Sequence, residues 1–183
     1  MIGVAAAAGL ETVEALVRLA VDGDETAFAQ IVRRHHEDMV RVAFVVSGSQ
    51  QVAEDATAAA WPIAWRRLRT LREPDRLRAW LCSVAANEAR QLMRRDHRRS
   101  LREIQVDGGS MELAADPSGR SPDIDLVNAL ARLRPEDRVL LALRYVAGLN
   151  ATELGRAIGL SPSGTRARLA RLLDRLRKDL GDD

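Results

Sequence analysis

Between Ser161 and Lys178 the chain reads SPSGTRARLARLLDRLRK, a run in which guanidinium groups are interleaved with serine, alanine and leucine. Arginine matches a guanine edge or a phosphate well, because its planar fork presents parallel N–H groups to paired acceptors. At roughly 100° per residue, Ser163, Arg166, Ala167, Ala170 and Arg171 fall in one sector of a helix, with Arg168 and Arg175 beside it. Small side chains among arginines let a helix approach base edges, so this sector fits a DNA major groove. Leu169, Leu172, Leu173, Leu176 and Leu180 fall in a separate sector and predict the buried face. An ordinary amphipathic helix with a solvated arginine face has a similar composition. What separates the two is the punctuation upstream: Asn150 and Glu153 fit a capping box opening a helix over Ala151 to Ile158, and Gly159 suits a left-handed stop. Ser161 then caps a second helix with Pro162 at its first position. Two helices on a tight turn, the second basic, make a helix-turn-helix.

Other chemistries find less support. His35 and His36 are adjacent, diverge by about 100° on a helix, and do not both face one metal. Asp55 with either histidine makes a nominal acid and base, without a nucleophile, phosphate loop or metal set beside it. The single cysteine, Cys82, has apolar neighbours in Trp80, Leu81 and Val84 and reads as a buried thiol. The expectation is a protein without catalytic residues, metal or cofactor. Trp61, Trp65 and Trp80 stand at helical spacings and read as core before stacking platforms.

The elements that position these groups all carry a helical period, and no strand pattern occurs. Leu10 to Val21 predicts one helix. Asp24 caps a second that runs to Gly48, and Ser49 caps a third from Gln50 to about Leu71, with Pro62 inside it predicting a kink. A loop holding Pro74 leads to a long helix from Arg76 to about Arg99, basic in its second half. Residues 101–122 carry Gly108, Gly109, Pro117 and Gly119 with several acids, and read as a linker. Ser121-Pro122-Asp123 and Pro135-Glu136-Asp137 each open a further helix before the helix-turn-helix. The fold class is all-α: two small helical domains, residues 10–100 and 123–183, joined by a flexible acidic linker over 101–122. No run of 18 apolar residues is present, so membrane insertion is not expected and a cytoplasmic protein is. Net charge is only +2, but it is unevenly spread: −5 over residues 1–60, +7 over 61–100, −4 over 101–128 and +4 over 129–183. Two basic blocks, each on a helical pattern, predict two contacts with nucleic acid.

These tracts resemble the extracytoplasmic-function sigma factors of bacterial RNA polymerase. Gly23-Asp24-Glu25-Thr26-Ala27-Phe28, Ala53-Glu54-Asp55, Trp65-Arg66-Arg67, Arg78-Ala79-Trp80-Leu81, Ala86-Asn87 and Arg94-Arg95 are similar to the family's second conserved region. Leu133-Arg134-Pro135, Leu143-Arg144-Tyr145, Gly148-Leu149, Glu153-Leu154 and Arg168-Leu169 with Arg171 are similar to its fourth. No one tract is specific; their order and spacing over nearly the whole chain are.

The resemblance implies an alternative sigma factor that binds core RNA polymerase and directs promoter-specific initiation. The first domain would dock on the polymerase clamp helices through Glu54, Asp55, Ala58, Trp61 and Trp65. It would open the minus-ten element with Arg72, Arg76, Asn87, Arg90, Arg94 and Arg95, a flipped base sitting between the loop 71–76 and the helix that carries Asn87. The second would engage the polymerase flap and read the minus-thirty-five element with Ser163, Arg166, Ala167, Arg168, Ala170 and Arg171, of which Arg168 and Ser163 lie nearer the backbone. The acidic linker would thread near the RNA exit path, and an anti-sigma factor is the implied regulator. The other reading is a stand-alone helix-turn-helix repressor or activator whose first domain binds a ligand or dimerises. The basic tract with Trp80, Asn87 and Arg94-Arg95 separates the two, because a repressor has no need of it.

Overall fold

Helix 1, α1, covers Val13–Val21 and starts where Thr12 Oγ1 accepts from the Ala15 amide at 3.2 Å. In this computed structural model the described residues are 12–107, 129–130 and 132–180, with side chains omitted over 100–107. The first two residues of the expected first helix and most of the segment from Ser121 lie outside them. Asp24 caps α2 (Glu25–Ser47), its Oδ1 accepting from the amides of Thr26 and Ala27 at 2.8 and 3.0 Å. Gly48 ends that helix at φ 73°, a left-handed angle that glycine adopts without a Cβ penalty.

Ser49 caps α3 (Gln50–Arg67), which is followed by a 3-10 turn at Leu68–Thr70. Pro62 sits inside α3, and the helix runs through it unbroken. The proline, Ala58 and Ala59 are all exposed, so the Ala58 carbonyl that loses its amide partner has water available. A second 3-10 turn, Pro74–Arg76, leads into α4 (Leu77–Asp107). This helix passes the expected end near Arg99 by two turns: residues 100–107 contain neither glycine nor proline, and the first breaker is Gly108.

The second bundle opens, after helical residues at 129, 130 and 132, with α5 (Pro135–Leu141) and continues as a π-helical turn over Ala142–Val146. Then follow α6 (Ala151–Ile158) and α7 (Pro162–Leu180). Among the described residues there is no strand, and no helix is long and apolar enough to cross a membrane.

Alanine at Ala53, Ala56, Ala60 and Ala64 on α3, and at Ala85, Ala86 and Ala89 on α4, lines the contacts among α2, α3 and α4. Such small side chains permit short interaxial distances. One core layer joins Leu16 of α1, Ile31 and Met39 of α2, and Leu68, Leu77 and Leu81. The other is shared by both bundles: Val42, Val46, Cys82 and Ala86 pack in one cluster with Leu133, Leu140, Leu143, Leu149, Leu154 and Leu172. The sequence predicted two small domains joined by a linker; the structure adds that the face of α2 and α4 beyond the first layer is completed by the second bundle. Cys82 is fully buried there, as its neighbours predicted, and burial pushes its thiol up to about 12.

Candidate nucleic-acid interface

The turn between α6 and α7 is built by local hydrogen bonds. Asn150 Oδ1 accepts from the amides of Thr152 and Glu153 at 2.9 and 3.1 Å, and Glu153 Oε2 accepts from the Asn150 amide at 2.7 Å, closing the capping box. Gly159 takes φ 74°, and Ser161 Oγ caps α7 by accepting from the Gly164 amide at 3.1 Å. Two residues that the sequence reading passed over fix the crossing of the helices. A Cβ on Gly155 would collide with the Leu160 carbonyl and press on Thr165 Oγ1, so only glycine lets the backbones meet. Thr165 is fully buried and donates to the Ser161 carbonyl at 2.9 Å. It occupies the interior at the start of α7, while Leu180, expected inside, is 40% exposed at the far end. Leu172 and Leu176 are buried, and Leu169 and Leu173 pack against the core as predicted.

On the outer side, Ser163, Arg166, Ala167, Ala170 and Arg171 are exposed. Arg166 and Arg171 make no hydrogen bond or ion pair with described residues, leaving ten N–H donors uncommitted between two small alanines. Ser163 Oγ is 3.2 Å from Ser161 Oγ. Arg168 differs from its neighbours: its Nε and Nη2 both donate to Asp137 Oδ1, at 3.0 and 2.7 Å. Asp137 is 2% exposed, and its Oδ2 also accepts from Arg134 Nε at 3.1 Å and lies 3.6 Å from Arg175 Nη2. Burial pushes the Asp137 carboxyl up, but hydrogen bonds from Arg168 and Arg134 outweigh it and hold the group below its usual range, hence ionised. Arg134, Asp137, Arg168, Arg171, Arg175 and Lys178 line a concave basic surface of about 680 Å³. Only Arg134 is close to Asp137 in sequence; Arg168 and Arg175 are 31 and 38 positions away, so the sequence did not point to the cluster.

The six residues expected at the minus-ten element do not form one cluster. Arg72 and Arg95 are exposed. Asn87 Oδ1 accepts from Arg90 Nη2 at 3.4 Å. Arg76 pairs with Glu73 at 2.5 Å and reaches Glu153 of α6 at 3.3 Å, while Arg94 pairs with Glu136 of α5 at 2.8 Å. The Arg94 hydrogen bond holds the Glu136 carboxyl below its ordinary range. A cavity of about 300 Å³ does lie between the 71–76 loop and α4, lined on that side by Leu71, Arg76, Ala79, Trp80 and Ser83; its other wall is Leu149, Glu153, Arg156 and Ala157 of the second bundle. Asn87, a turn beyond Ser83, is not in its lining.

Arg78, not singled out as a site residue, crosses between the bundles. Its Nε and Nη2 donate to Asp38 at 2.6 and 3.0 Å, and its Nη1 and Nη2 donate to the Ala147 and Val146 carbonyls at 2.9 and 3.1 Å. The Arg78 hydrogen bond keeps the Asp38 carboxyl below its usual range.

On α3, Glu54, Asp55 and Ala58 are exposed, with Gln50 and Gln51 donating to the two carboxylates at 2.7 and 3.1 Å. Trp61 and Trp65 are half-buried against Phe28, at centroid distances of 5.8 and 4.5 Å, and Trp61 Nε1 donates to His36 Nδ1 at 3.2 Å. They are neither sealed core nor free platforms. Exposed carboxylates beside half-buried indoles form a surface suited to a protein partner.

Residues 31–99 match the model of sigma-70 region 2, and residues 129–178 that of sigma-70 region 4. The RNA polymerase sigma factor CarQ of Myxococcus xanthus is 32% identical over 170 residues, covering 88% of this chain and 93% of that protein. The chain belongs to the sigma-70 family of RNA polymerase sigma factors. Within it the chain is similar to the extracytoplasmic-function group. A further relative, RfaY of Xanthomonas campestris pv. campestris, is 27% identical over 169 residues, 88% of this chain, and the chain spans 42% of that protein's length. The fold matches the sigma factor RpoE of Bartonella quintana, solved with the anti-sigma factor NepR, at a TM-score of 0.66 and 23% identity, over 85% of this chain and 98% of that one. Sigma factors are DNA-binding regulatory subunits, and the arrangement of α6 and α7 in this one is a region 4 helix-turn-helix.

Proposed function

We propose that this sigma factor docks on core RNA polymerase and directs initiation at promoters whose minus-thirty-five element is read by α7. The observation that carries the reading is the outer face of α7, where Arg166 and Arg171 stand uncommitted among Ser163, Ala167 and Ala170 on a helix held by its cap and by Gly155. Arg166 and Arg171 face bases, with Ala167 and Ala170 allowing the approach; Ser163 and Arg168 face the sugar-phosphate backbone.

In the division of labour, residues 10–100 bind core and open the minus-ten element, 101–122 form the acidic connection, and 123–183 read the minus-thirty-five element. Glu54, Asp55 and Ala58, with Trp61 and Trp65 behind them, meet the polymerase clamp helices, and region 4 meets the flap. Arg72, Arg76, Asn87, Arg90, Arg94 and Arg95 serve the melted strand. The pairing of Arg76 and Arg94 with carboxylates of the second bundle means that melting requires their release. The protein acts in the cytoplasm, has no catalytic residues, and is held inactive by an anti-sigma factor, a reading supported by the complex in which RpoE was solved.

The test is reconstitution with core polymerase followed by run-off transcription on a promoter library. New transcripts sharing two spaced elements are the expected result. Failure to bind core, with sequence-specific duplex binding by the chain alone, would favour a stand-alone repressor or activator.

A further inference from the structure

Asp137 is a carboxylate buried beneath a DNA-reading helix, where it opposes the charge that draws the helix to DNA. We infer that Asp137 is a positioning residue for minus-thirty-five selectivity: it ties Arg134, Arg168 and Arg175 to one anchor and so limits how these cations meet phosphate. The inference rests on the reading of α7 proposed above and deepens it.

Three observations carry it. First, the geometry is asymmetric: the carboxylate is almost wholly buried, whereas the side chains of Arg168, Arg134 and Arg175 are 27%, 70% and 55% exposed. The guanidinium groups therefore stand over a sunken anion with part of each still open to a ligand. Second, Arg168 spends its Nε and one Nη2 hydrogen on Asp137, which fixes the plane of the fork and leaves its outer end, Nη1 and the second Nη2 hydrogen, for DNA. Third, the neighbouring readers Arg166 and Arg171 have no such anchor, so α7 carries two kinds of arginine: held and free.

The consequence follows from the division between affinity and specificity. Phosphate contacts add affinity regardless of sequence, in proportion to the cations they neutralise, while base contacts add specificity only if the helix sits in one register. A held Arg168 directs its contact to a phosphate at one place beside α7 and sets the depth at which Arg166 and Arg171 meet base edges. Released from Asp137, the same three arginines add mobile charge, which strengthens binding to any duplex and relaxes the register. Asp174 also lines this surface, but it pairs with Arg177 at 3.1 Å and does not substitute for Asp137.

The experiment uses holoenzyme reconstituted from core polymerase and full chain, selecting from a duplex library randomised across the minus-thirty-five region. It is combined with the salt dependence of binding to one non-specific duplex. Asp137→Asn keeps the shape and an acceptor and removes the charge. Its expected result is tighter non-specific binding, about tenfold at low salt, a salt slope steeper by about one per released arginine, and a flattened minus-thirty-five motif. Arg168→Gln leaves Asp137 paired with Arg134 and Arg175 and guards against misfolding of the first variant. It is expected to flatten the motif and make the slope shallower by about one. If wild-type holoenzyme enriches no minus-thirty-five motif, the reading of α7 itself fails. If it does, and both variants enrich the same motif with the same slope, Asp137 has no positioning role. Weaker binding to every sequence in step with a lowered melting temperature, with the motif intact in Arg168→Gln, also overturns the proposal, because it is the signature of a purely structural ion pair.

Discussion

Replacing Arg78 with methionine is expected to loosen the two bundles from each other, and the chain carries its own reporter. Arg78 contributes two charge-assisted hydrogen bonds across the interface, to the carbonyls of Val146 and Ala147. Its side chain is 41% exposed, so each bond belongs at the low end of the range, and the pair is worth about 1–3 kcal/mol. By the usual conversion, the population of the separated form rises about 5- to 150-fold. Methionine preserves most of the stem's packing, and Asp38, left with Arg41 at 4.0 Å, remains partly solvated.

The assay is alkylation of the single cysteine. Cys82 lies one turn after Arg78 on α4, in the apolar cluster that both bundles build, with its thiol pushed up to about 12 by burial. Cys82 is fully buried and, with its thiol pushed up, almost wholly protonated at pH 8 in the joined form, so the reaction runs through the separated form, where the thiol meets solvent. The sign is discriminating. The Arg78 charge lowers the Cys82 pKa, so removing it makes the thiol less reactive while the bundles stay together. An acceleration therefore reports separation. An alkylation rate that is unchanged or slower, at an unchanged melting temperature, would refute the idea that Arg78 holds the bundles together.

Gly155→Ala forces a methyl group into the Leu160 carbonyl, and is expected to cost about 1–3 kcal/mol and to lower the melting temperature; an unchanged value would mean that the α6–α7 crossing adjusts freely. Asn87→Ala should spare duplex binding by holoenzyme but reduce permanganate reactivity of minus-ten thymines, whereas full reactivity would take Asn87 out of the melting site. Acid provides the last test. Asp38, Glu136 and Asp137 all have folded-state carboxyls held below their ordinary values, so their stabilisation is complete above the unfolded values near 4 and is lost as pH falls below that through the folded ones. Burial also holds the His35 imidazole below its ordinary value of 6.5, so a first, smaller loss of thermal stability is expected as pH falls below about 6.5, and a second below pH 4 from the carboxylates; a curve that stays level from pH 4 down to pH 2 would show that these ion pairs contribute little.

Local signals in the sequence were read well, and signals between distant residues were not. The caps at Asp24, Ser49, Asn150 and Ser161 and the stops at Gly48 and Gly159 all depend on hydrogen bonds within a few positions, and each forms where its residue type required. The end of α4 was misplaced by two turns because the glycines, Pro117 and acids beyond it led the whole of 101–122 to be read as a linker, although 100–107 hold no glycine or proline to break the helix. Asp137 and Arg78 were missed because most of their partners lie more than thirty positions away, and the one local pair, Arg134 with Asp137, looks like any other surface ion pair. Gly155 was missed because a glycine inside a helical pattern resembles a weak position until its neighbour's backbone is seen.

The shared core has a consequence for promoter recognition. Elements at minus thirty-five and minus ten are separated by about 25 base pairs, roughly 85 Å of duplex at 3.4 Å per pair. Two bundles that share Val46, Cys82, Leu140 and Leu143 in one cluster are separated by a single layer of side chains. They do not reach both elements at once. Reading both elements therefore requires the bundles to part, exposing Val42, Val46 and Cys82 and freeing Arg76 and Arg94 from Glu153 and Glu136. The groups freed are those proposed for the melted strand. Core polymerase and DNA must together outweigh that interface, and the Arg78→Met variant shows whether parting the bundles limits opening: promoter opening should increase where interface separation sets the rate, and stay unchanged where melting does.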